Sequence, residues 1–348
     1  MAEMTNTNIG LSRGLESTPE LKRWLLELAG SYQVLTPVEK GVNRVFAEIS
    51  PGLEVVPDAP QERTVLPAKK AFLPPEEPLF GFEKDLLKPP PQPPGTVIFG
   101  LRVCELSADR LLTAAMESGP GDYPFTSRRR LGFTIGVPCR RSAACFCEKT
   151  GHDRIGAGDF DLFLASSEEG PVLWAGTVEG RELAQGAPFP VRAIEEEIRA
   201  PVPPDSQAWP LDALPGLLRE SFGATMWEEL ATRCLGCGNC TVVCPLCYCF
   251  FTRDETGWDP SVGRRLRHWD SCQLVAFARV AGGHNFREAR SERIWYRFSH
   301  KFMRMQEAFA RPGCSGCGAC LHFCPVDIDP RRVIEAVLEV TGSGQGAR

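Results

Sequence analysis

Two cysteine runs in the C-terminal third carry the most legible chemistry of this chain. The first reads Cys234-Leu235-Gly236-Cys237-Gly238-Asn239-Cys240-Thr241-Val242-Val243-Cys244-Pro245. The second reads Cys314-Ser315-Gly316-Cys317-Gly318-Ala319-Cys320-Leu321-His322-Phe323-Cys324-Pro325. Both follow C-x2-C-x2-C-x3-C-P, the spacing that holds [4Fe–4S] clusters. Three thiolates on one tight turn cover three corners of a cubane, and the glycines let backbone N–H groups approach its sulfides. The fourth Cys, followed by a Pro that stops the local helix, points away and ligates the other cluster. The spacing assigns one cluster to Cys234, Cys237, Cys240 and Cys324, and a second to Cys314, Cys317, Cys320 and Cys244.

Two other uses of these eight thiols fit less well. Disulfides need an oxidising compartment, and nothing near Met1 resembles a secretory signal, so a cytoplasmic protein is expected. Zinc sites use pairs of C-x2-C rather than triplets with a trailing Cys-Pro.

The remaining seven cysteines fall into two groups. Cys104 follows a strand-like run at Val97–Leu101, and Cys139 follows another at Phe133–Val137. Parallel neighbouring strands would bring both thiols to one carboxyl edge, where open α/β sheets place ligands. Cys145 and Cys147 lie on a loop just beyond and can fold back to that edge. The four thiols suffice for a third cluster; the alternatives are a zinc site or buried inert thiols. The other group is Cys247, Cys249 and Cys272. It needs a fourth ligand to hold metal, with His284 and His300 the nearest choices, or it simply packs around the first run.

These sites require elements to hold them. Thr18 can cap a first helix with Pro19 at its first position and Leu21, Trp24, Leu25 and Leu28 on one face. Strand-like runs follow at Tyr32–Leu35 and Arg44–Ile49, and the proline-dense stretch 74–94 reads as extended surface chain outside any helix or central strand. Val97–Leu101, a helix over Leu106–Met116 and Phe133–Val137 form a β-α-β unit. Phe160–Ala165 and Val172–Val178 read as a strand pair joined through Glu168-Glu169-Gly170-Pro171.

The chain thus reads as a mixed fold: an α/β domain over 1–200, a proline-rich linker at 201–215, and an α-helical ferredoxin-like domain over 216–348 carrying both cluster runs. In the last, Leu274, Phe277 and Ala278, then Ile294, Trp295, Phe298 and Phe302, suit helix faces, and Asp329-Pro330 opens a final helix. The long gap between the runs favours helices inserted between them.

Composition narrows the function. An apolar fraction of 43% with 24% charged residues is that of a globular chain, and 348 residues allow two cores. No apolar run reaches the roughly 18–20 residues that span a bilayer, so direct membrane insertion is not expected. A net charge of −5 argues against nucleic acid as a partner. The basic runs Arg128–Arg130 and Arg264, Arg265 and Arg267 read as solvated or interface faces. Arg140 and Arg141, beside the Cys145 loop, read as a docking rim for an acidic partner.

Several stretches together resemble a known family. They are Cys244-Pro245-Leu246-Cys247-Tyr248-Cys249-Phe250, Trp269-Asp270-Ser271-Cys272, Ala281-Gly282-Gly283-His284-Asn285 and His300-Lys301. In the N-terminal half, Phe99-Gly100-Leu101-Arg102-Val103-Cys104-Glu105-Leu106 and Cys145-Phe146-Cys147 with Asp159-Phe160-Asp161-Leu162 resemble two further family stretches. The family is that of the iron–sulfur (beta) subunits of NADP-linked [NiFe] hydrogenases, or sulfhydrogenases, together with the two-cluster iron–sulfur component of anaerobic sulfite reductase. The chain departs from it at Val103, Glu105 and Leu246, where Pro, Asp and Thr are usual, but keeps every cysteine.

The resemblance implies an electron-transfer subunit beside a flavin- and NAD(P)-binding subunit. A terminal redox subunit would lie beyond: a hydrogenase, a sulfite reductase or a heterodisulfide-reductase-like unit. The chain has no G-x-G-x-x-G opening a helix, so flavin and nucleotide belong to partners. The leading expectation is a non-catalytic relay with no catalytic residues. The alternative is a subunit that itself reduces a disulfide, sulfur or sulfite species at one cluster.

Overall fold

The computed structural model describes residues 18–55, 63–167 and 170–342. The chain folds into two compact units that are not contiguous in sequence. One comprises residues up to Phe72, Pro93–Gln207 and Ser315–Cys317; the other comprises Leu73–Gln92, Ala208–Cys314 and Gly318 onward.

The first unit is built on a seven-stranded sheet. Its order is Val191–Ala193, Gly170–Ala175, Leu162–Ser167, Gly132–Gly136, Thr96–Leu101, Gln33–Lys40 and Asn43–Glu48. The middle is parallel; one edge closes with an antiparallel hairpin, and at the other an antiparallel pair is followed by the parallel edge strand Val191–Ala193. All six residues of Thr96–Leu101 are buried, as expected of a central parallel strand covered on both faces. Gly100 interrupts it at φ +91°, and an added Cβ would lie 2.7 Å from Pro37 Cδ of the neighbouring strand. Only glycine lets this strand pass so close to Pro37, and on its other side the register against Gly132–Gly136 shifts at the same residue.

The first helix is as expected. Thr18 Oγ1 accepts from Leu21 N at 3.1 Å, and Leu21, Trp24 and Leu25 enter a core with Val34, Val97, Phe99, Ile135 and Leu162. The expected helix after Val97–Leu101 begins earlier, spanning Val103–Glu117, so Cys104 stands on its first turn rather than on a loop. Buried Asp161 pins the sheet: it accepts from Thr134 N at 2.8 Å, Thr134 Oγ1 at 3.0 Å and Thr177 Oγ1 at 3.0 Å. Leu162–Ser167 and Gly170–Ala175 pair as a hairpin, but Glu168 and Glu169 of its turn lie outside the described residues.

The second unit combines helices with a four-stranded antiparallel sheet, in the order Phe250–Thr256, Val262–Trp269, Glu76–Glu83, Leu86–Lys88. This corrects two expectations. The insertion between the cysteine runs is not helical alone, since a hairpin occupies 250–269, and Leu274, Phe277 and Ala278 lie in turns. The outer strand of that hairpin is almost wholly exposed, so it lacks the alternation that marks a half-buried strand. The stretch 74–94 also contains a central strand, Glu76–Glu83, despite Pro78. The register slips opposite Arg265/Leu266, so Pro78 sits at a bulge where its missing N–H costs no ladder bond.

Arg267 crosses the same sheet to Glu77 at 2.8 Å, both fully buried. Arg264 and Arg265 pair across the hairpin with Glu255 and Asp254. In the first unit Arg129 bonds Asp109. Arg129, Arg264, Arg265 and Arg267 of the basic runs thus make ion pairs within their own units, Arg264 and Arg265 while remaining exposed.

Helices Leu214–Glu220, Thr225–Arg233, Arg290–Ser299, Met305–Phe309 and Pro330–Gly342 complete the unit, with a π-turn at His300–Arg304. Trp227, Phe298 and Phe302 fill its core, with indole N–H groups of Trp227 and Trp295 donating to Ser221 O and Leu218 O. No helix among the described residues is long and apolar enough to cross a membrane.

Candidate metal centres

The two C-terminal runs share one backbone design. Gly236 and Gly238 in the first, and Gly316 and Gly318 in the second, take left-handed φ values of 66°, 81°, 61° and 79°. Those turns curl each triplet of thiols inward, and a four-residue helix then starts at Asn239 and at Ala319. Backbone N–H groups donate to sulfur in both: Gly236 N to Cys234 Sγ, Leu246 N to Cys244 Sγ and Ile328 N to Cys324 Sγ, each at 3.4 Å.

Cys234, Cys237, Cys240 and Cys324 line a single pocket together with Ile294, Phe298 and Arg297. That is the set assigned to one cluster from spacing. Cys320 reaches the same cavity. Burial pushes Cys240 up to about 12 against the pull of Arg297.

Cys244 and Cys314 face Lys301, which is fully buried; its ammonium donates to Cys244 Sγ at 3.2 Å and to Gly313 O at 2.7 Å. The π-turn at His300–Arg304 carries this lysine, a local widening of the helix often found at functional positions. Burial alone would lower Arg297 and Lys301, yet thiols around each hold it above its ordinary value. Buried cations without a paired anion are expensive, so these two presuppose negative charge beside them. Cys317 falls in the first unit.

In the first unit Cys104, Cys139, Cys145 and Cys147 come together around Arg63. The Arg63 guanidinium donates to Cys145 Sγ at 2.6 Å, and its charge acts on Cys104, Cys139 and Cys317 as well. Burial raises Cys104 and pushes Cys139 up to about 11 and Cys147 to about 12. Cys145 alone moves down: burial acts against it, but Arg63 and a hydrogen bond from Ser142 outweigh that.

The loop is tied by Arg141, whose guanidinium forks onto Glu148 at 2.7 and 2.6 Å and donates to Cys145 O at 2.8 Å. Arg141 thus braces the loop from within. Segment 315–317 packs on the same loop: Phe146 N donates to Gly316 O at 2.8 Å, and a Cβ at Gly316 would collide with Phe146 O.

Cys247, Cys249 and Cys272 line a second cavity in the C-terminal unit, of about 250 Å³. Tyr248, Phe250, Phe277, Tyr296, Arg297, His300 and Lys301 complete its wall. Cys249 and Cys272 are hydrogen-bonded, which raises Cys249 and lowers Cys272, the latter also receiving Gln273 Nε2 at 3.5 Å. Of the two histidines expected as a fourth ligand, His300 lines the cavity. His284 is exposed and packs edge-on against Phe286. Burial beside Lys301 and Arg304 lowers His300 to about 4, so its ring is neutral.

Among the described residues no three His, Cys, Asp or Glu side chains converge closely enough for a single metal ion. A cubane takes each thiolate on a different iron and so suits thiols spread around a cavity. Sequence reasoning missed Arg63 and Arg297. Arg297 was discoverable in principle, because it shares the face of Arg290–Ser299 that holds buried Ile294 and Phe298. Arg63 carries no such signal, being far from every cysteine in sequence.

Comparison with known proteins follows the same lines. A family model described as a 4Fe-4S dicluster domain matches residues 233–328. Sulfhydrogenase 2 subunit beta of Pyrococcus furiosus (strain ATCC 43587 / DSM 3638 / JCM 8422 / Vc1) is 31% identical over 333 residues, covering 93% of this chain and 97% of that protein. No solved structure matches the chain.

Proposed function

Since the chain belongs to the iron–sulfur beta-subunit family of sulfhydrogenases, we propose that it relays electrons from one partner to another, one of them a flavin- and NAD(P)-binding subunit, the other a terminal redox subunit. The terminal component is a hydrogenase, a sulfite reductase or a heterodisulfide-reductase-like unit. Bound [4Fe–4S] clusters supply one-electron transfer at potentials tuned by charge and hydrogen bonds around their sulfurs. The protein's residues supply that tuning and exclude water. Cys234, Cys237, Cys240 and Cys324 hold one cluster, and Cys314, Cys317, Cys320 and Cys244 a second. Cys104, Cys139, Cys145 and Cys147 hold a third. In this reading the chain conducts and does not catalyse, and its many reduced thiols suit the cytoplasm.

The observation that carries the reading is the pairing of thiols with buried cations. Arg63, Arg297 and Lys301 are all buried, and each faces sulfur. Buried cations are costly unless negative charge stands beside them, and thiolates on iron supply it.

Iron and sulfide analysis of anaerobically prepared Cys234→Ser, Cys314→Ser and Cys104→Ser proteins tests it. Each should lose about four irons from a total of at least twelve. Full iron in all three variants would overturn the assignment. Pull-down of the native protein from anaerobic extract should bring down a flavoprotein and a metalloenzyme subunit. Isolation of the bare chain with no redox partner would count against the relay.

A further inference from the structure

We propose that Cys247, Cys249 and Cys272, with His300 as the fourth ligand, hold an additional iron–sulfur cluster in the C-terminal unit. The proposal goes beyond the relay reading, which leaves these three thiols without a role.

Four observations converge on it. The three thiols and His300 line one cavity, although Cys272 and His300 are far from Cys247 in sequence. The hairpin Phe250–Thr256/Val262–Trp269 brings Cys249 and Cys272 together. Phe250 pairs with Trp269, and Asp270 N donates to Cys249 O at 2.9 Å. The π-turn carries His300 to the opposite wall, where its ring meets Tyr248 at 5.7 Å and Tyr296 at 6.3 Å. Two aromatic neighbours hold the ring plane, and neither occupies the ring nitrogen that would bind iron.

Size and charge then select the occupant. The cavity holds about 250 Å³, more than one ion fills, and among the described residues the donors do not converge on a single point. A Cys3His zinc site needs all four donors within about 2.0–2.3 Å of one centre. Arg297 and Lys301 stand in the same wall, both buried, so the site is built for a net anion. Three thiolates on an iron–sulfur core provide that anion, while a neutral imidazole limits its charge. Phe250, Phe277 and Tyr296 supply apolar surface to its wall.

With this set, each of the fifteen cysteines has a cluster to serve. His300 closes the coordination shell, so the site is a relay position rather than an open iron for substrate.

The test uses the full chain, purified anaerobically, with iron, sulfide and zinc analysis and EPR of the dithionite-reduced protein. Cys272→Ser should lose about four irons and one EPR component and keep the rest. Because serine at this buried position could disturb folding, His300→Cys is the second variant. It should keep all the iron, change the g-values of one component and lower that component's potential, since imidazole ligation raises cluster potentials relative to thiolate. Unchanged iron and EPR in Cys272→Ser would overturn the proposal, as would one zinc per chain lost in that variant. A His300→Cys spectrum superimposable on the parent would overturn the histidine ligand. Cys234→Ser, run in parallel, separates the two claims: its iron loss tests the dicluster reading whatever Cys272→Ser does.

Discussion

Lys301→Met should lower the potential of the cluster served by Cys244, by an amount the structure allows to be worked out. The ammonium donates to Cys244 Sγ at 3.2 Å and is fully buried, so neither solvent nor salt screens it. Methionine keeps the length and apolar stem but removes the charge and leaves no unpaired ion behind. Reduction adds one electron, spread over the whole cluster, so the charge-to-charge distance is longer than the contact, about 8 Å. At an effective dielectric of about 20 the lost attraction is roughly 2 kcal/mol. For a one-electron couple that is a shift of about 90 mV to lower potential. EPR-monitored redox titration of wild type, Lys301→Met and Lys301→Arg reads it, with Arg holding the potential near the parent value. An unchanged midpoint would refute the electrostatic role. An equal shift of every component would mean that the lysine acts through the fold instead.

Other outcomes follow from the same structure. Glu77→Ala takes the buried carboxylate from Arg267 and should cost about 3–5 kcal/mol in chemical denaturation, whereas a Glu77→Leu/Arg267→Met double variant should recover most of it. Arg141→Glu should release iron from the Cys104, Cys139, Cys145 and Cys147 set equally at low and high salt; a loss confined to low salt would point to a docking role instead. Gly316→Ala should impair that same loop more than Gly318→Ala, because its Cβ would strike Phe146 O, and thermal melts with iron counts would show it. Asp329 accepts from Arg331 N at 2.9 Å and pairs with the Arg331 side chain. Burial works against it, but the Arg331 bonds hold its carboxyl below the ordinary value. Its contribution is therefore present above the unfolded Asp value of about 3.9 and is lost as pH falls through the lower folded value. Asp329→Ala should cost about 1 kcal/mol at neutral pH and flatten the acid limb of the stability curve.

What could be read from the sequence divides along physical lines. The two-cluster domain over 233–328 was legible because cluster ligation imposes fixed cysteine spacings, and the glycines between them because left-handed turns tolerate little else. The parallel strands and first helix were legible because each buries a periodic apolar face, as Leu21, Trp24 and Leu25 do. The hairpin 250–269 was not, because its outer strand is exposed and held by ion pairs such as Arg265–Asp254. Pro78 masked its strand, since a proline bulge looks like a loop until the partner is known. The cations at Arg63, Arg297 and Lys301 were hidden for another reason. A buried arginine has the same letter as a solvated one, and only the cysteines around it reveal its use.

The strand Glu76–Glu83 bears on how the protein is made. It pairs with Val262–Trp269, which leaves the ribosome far later, and the charge of Arg267 finds Glu77 only then. Pairing at such separation carries a large loop-closure cost and is intrinsically slow. The thiols Cys234, Cys237, Cys240 and Cys244 are therefore synthesised before the sheet of their own unit can close. That interval leaves the first run accessible to the machinery that delivers iron and sulfide. It also means that a fragment cut at the sequence boundary near residue 216 lacks its central strand. Such a fragment would expose Val262–Trp269 as a raw edge, with Arg267 parted from Glu77, and would self-associate through it.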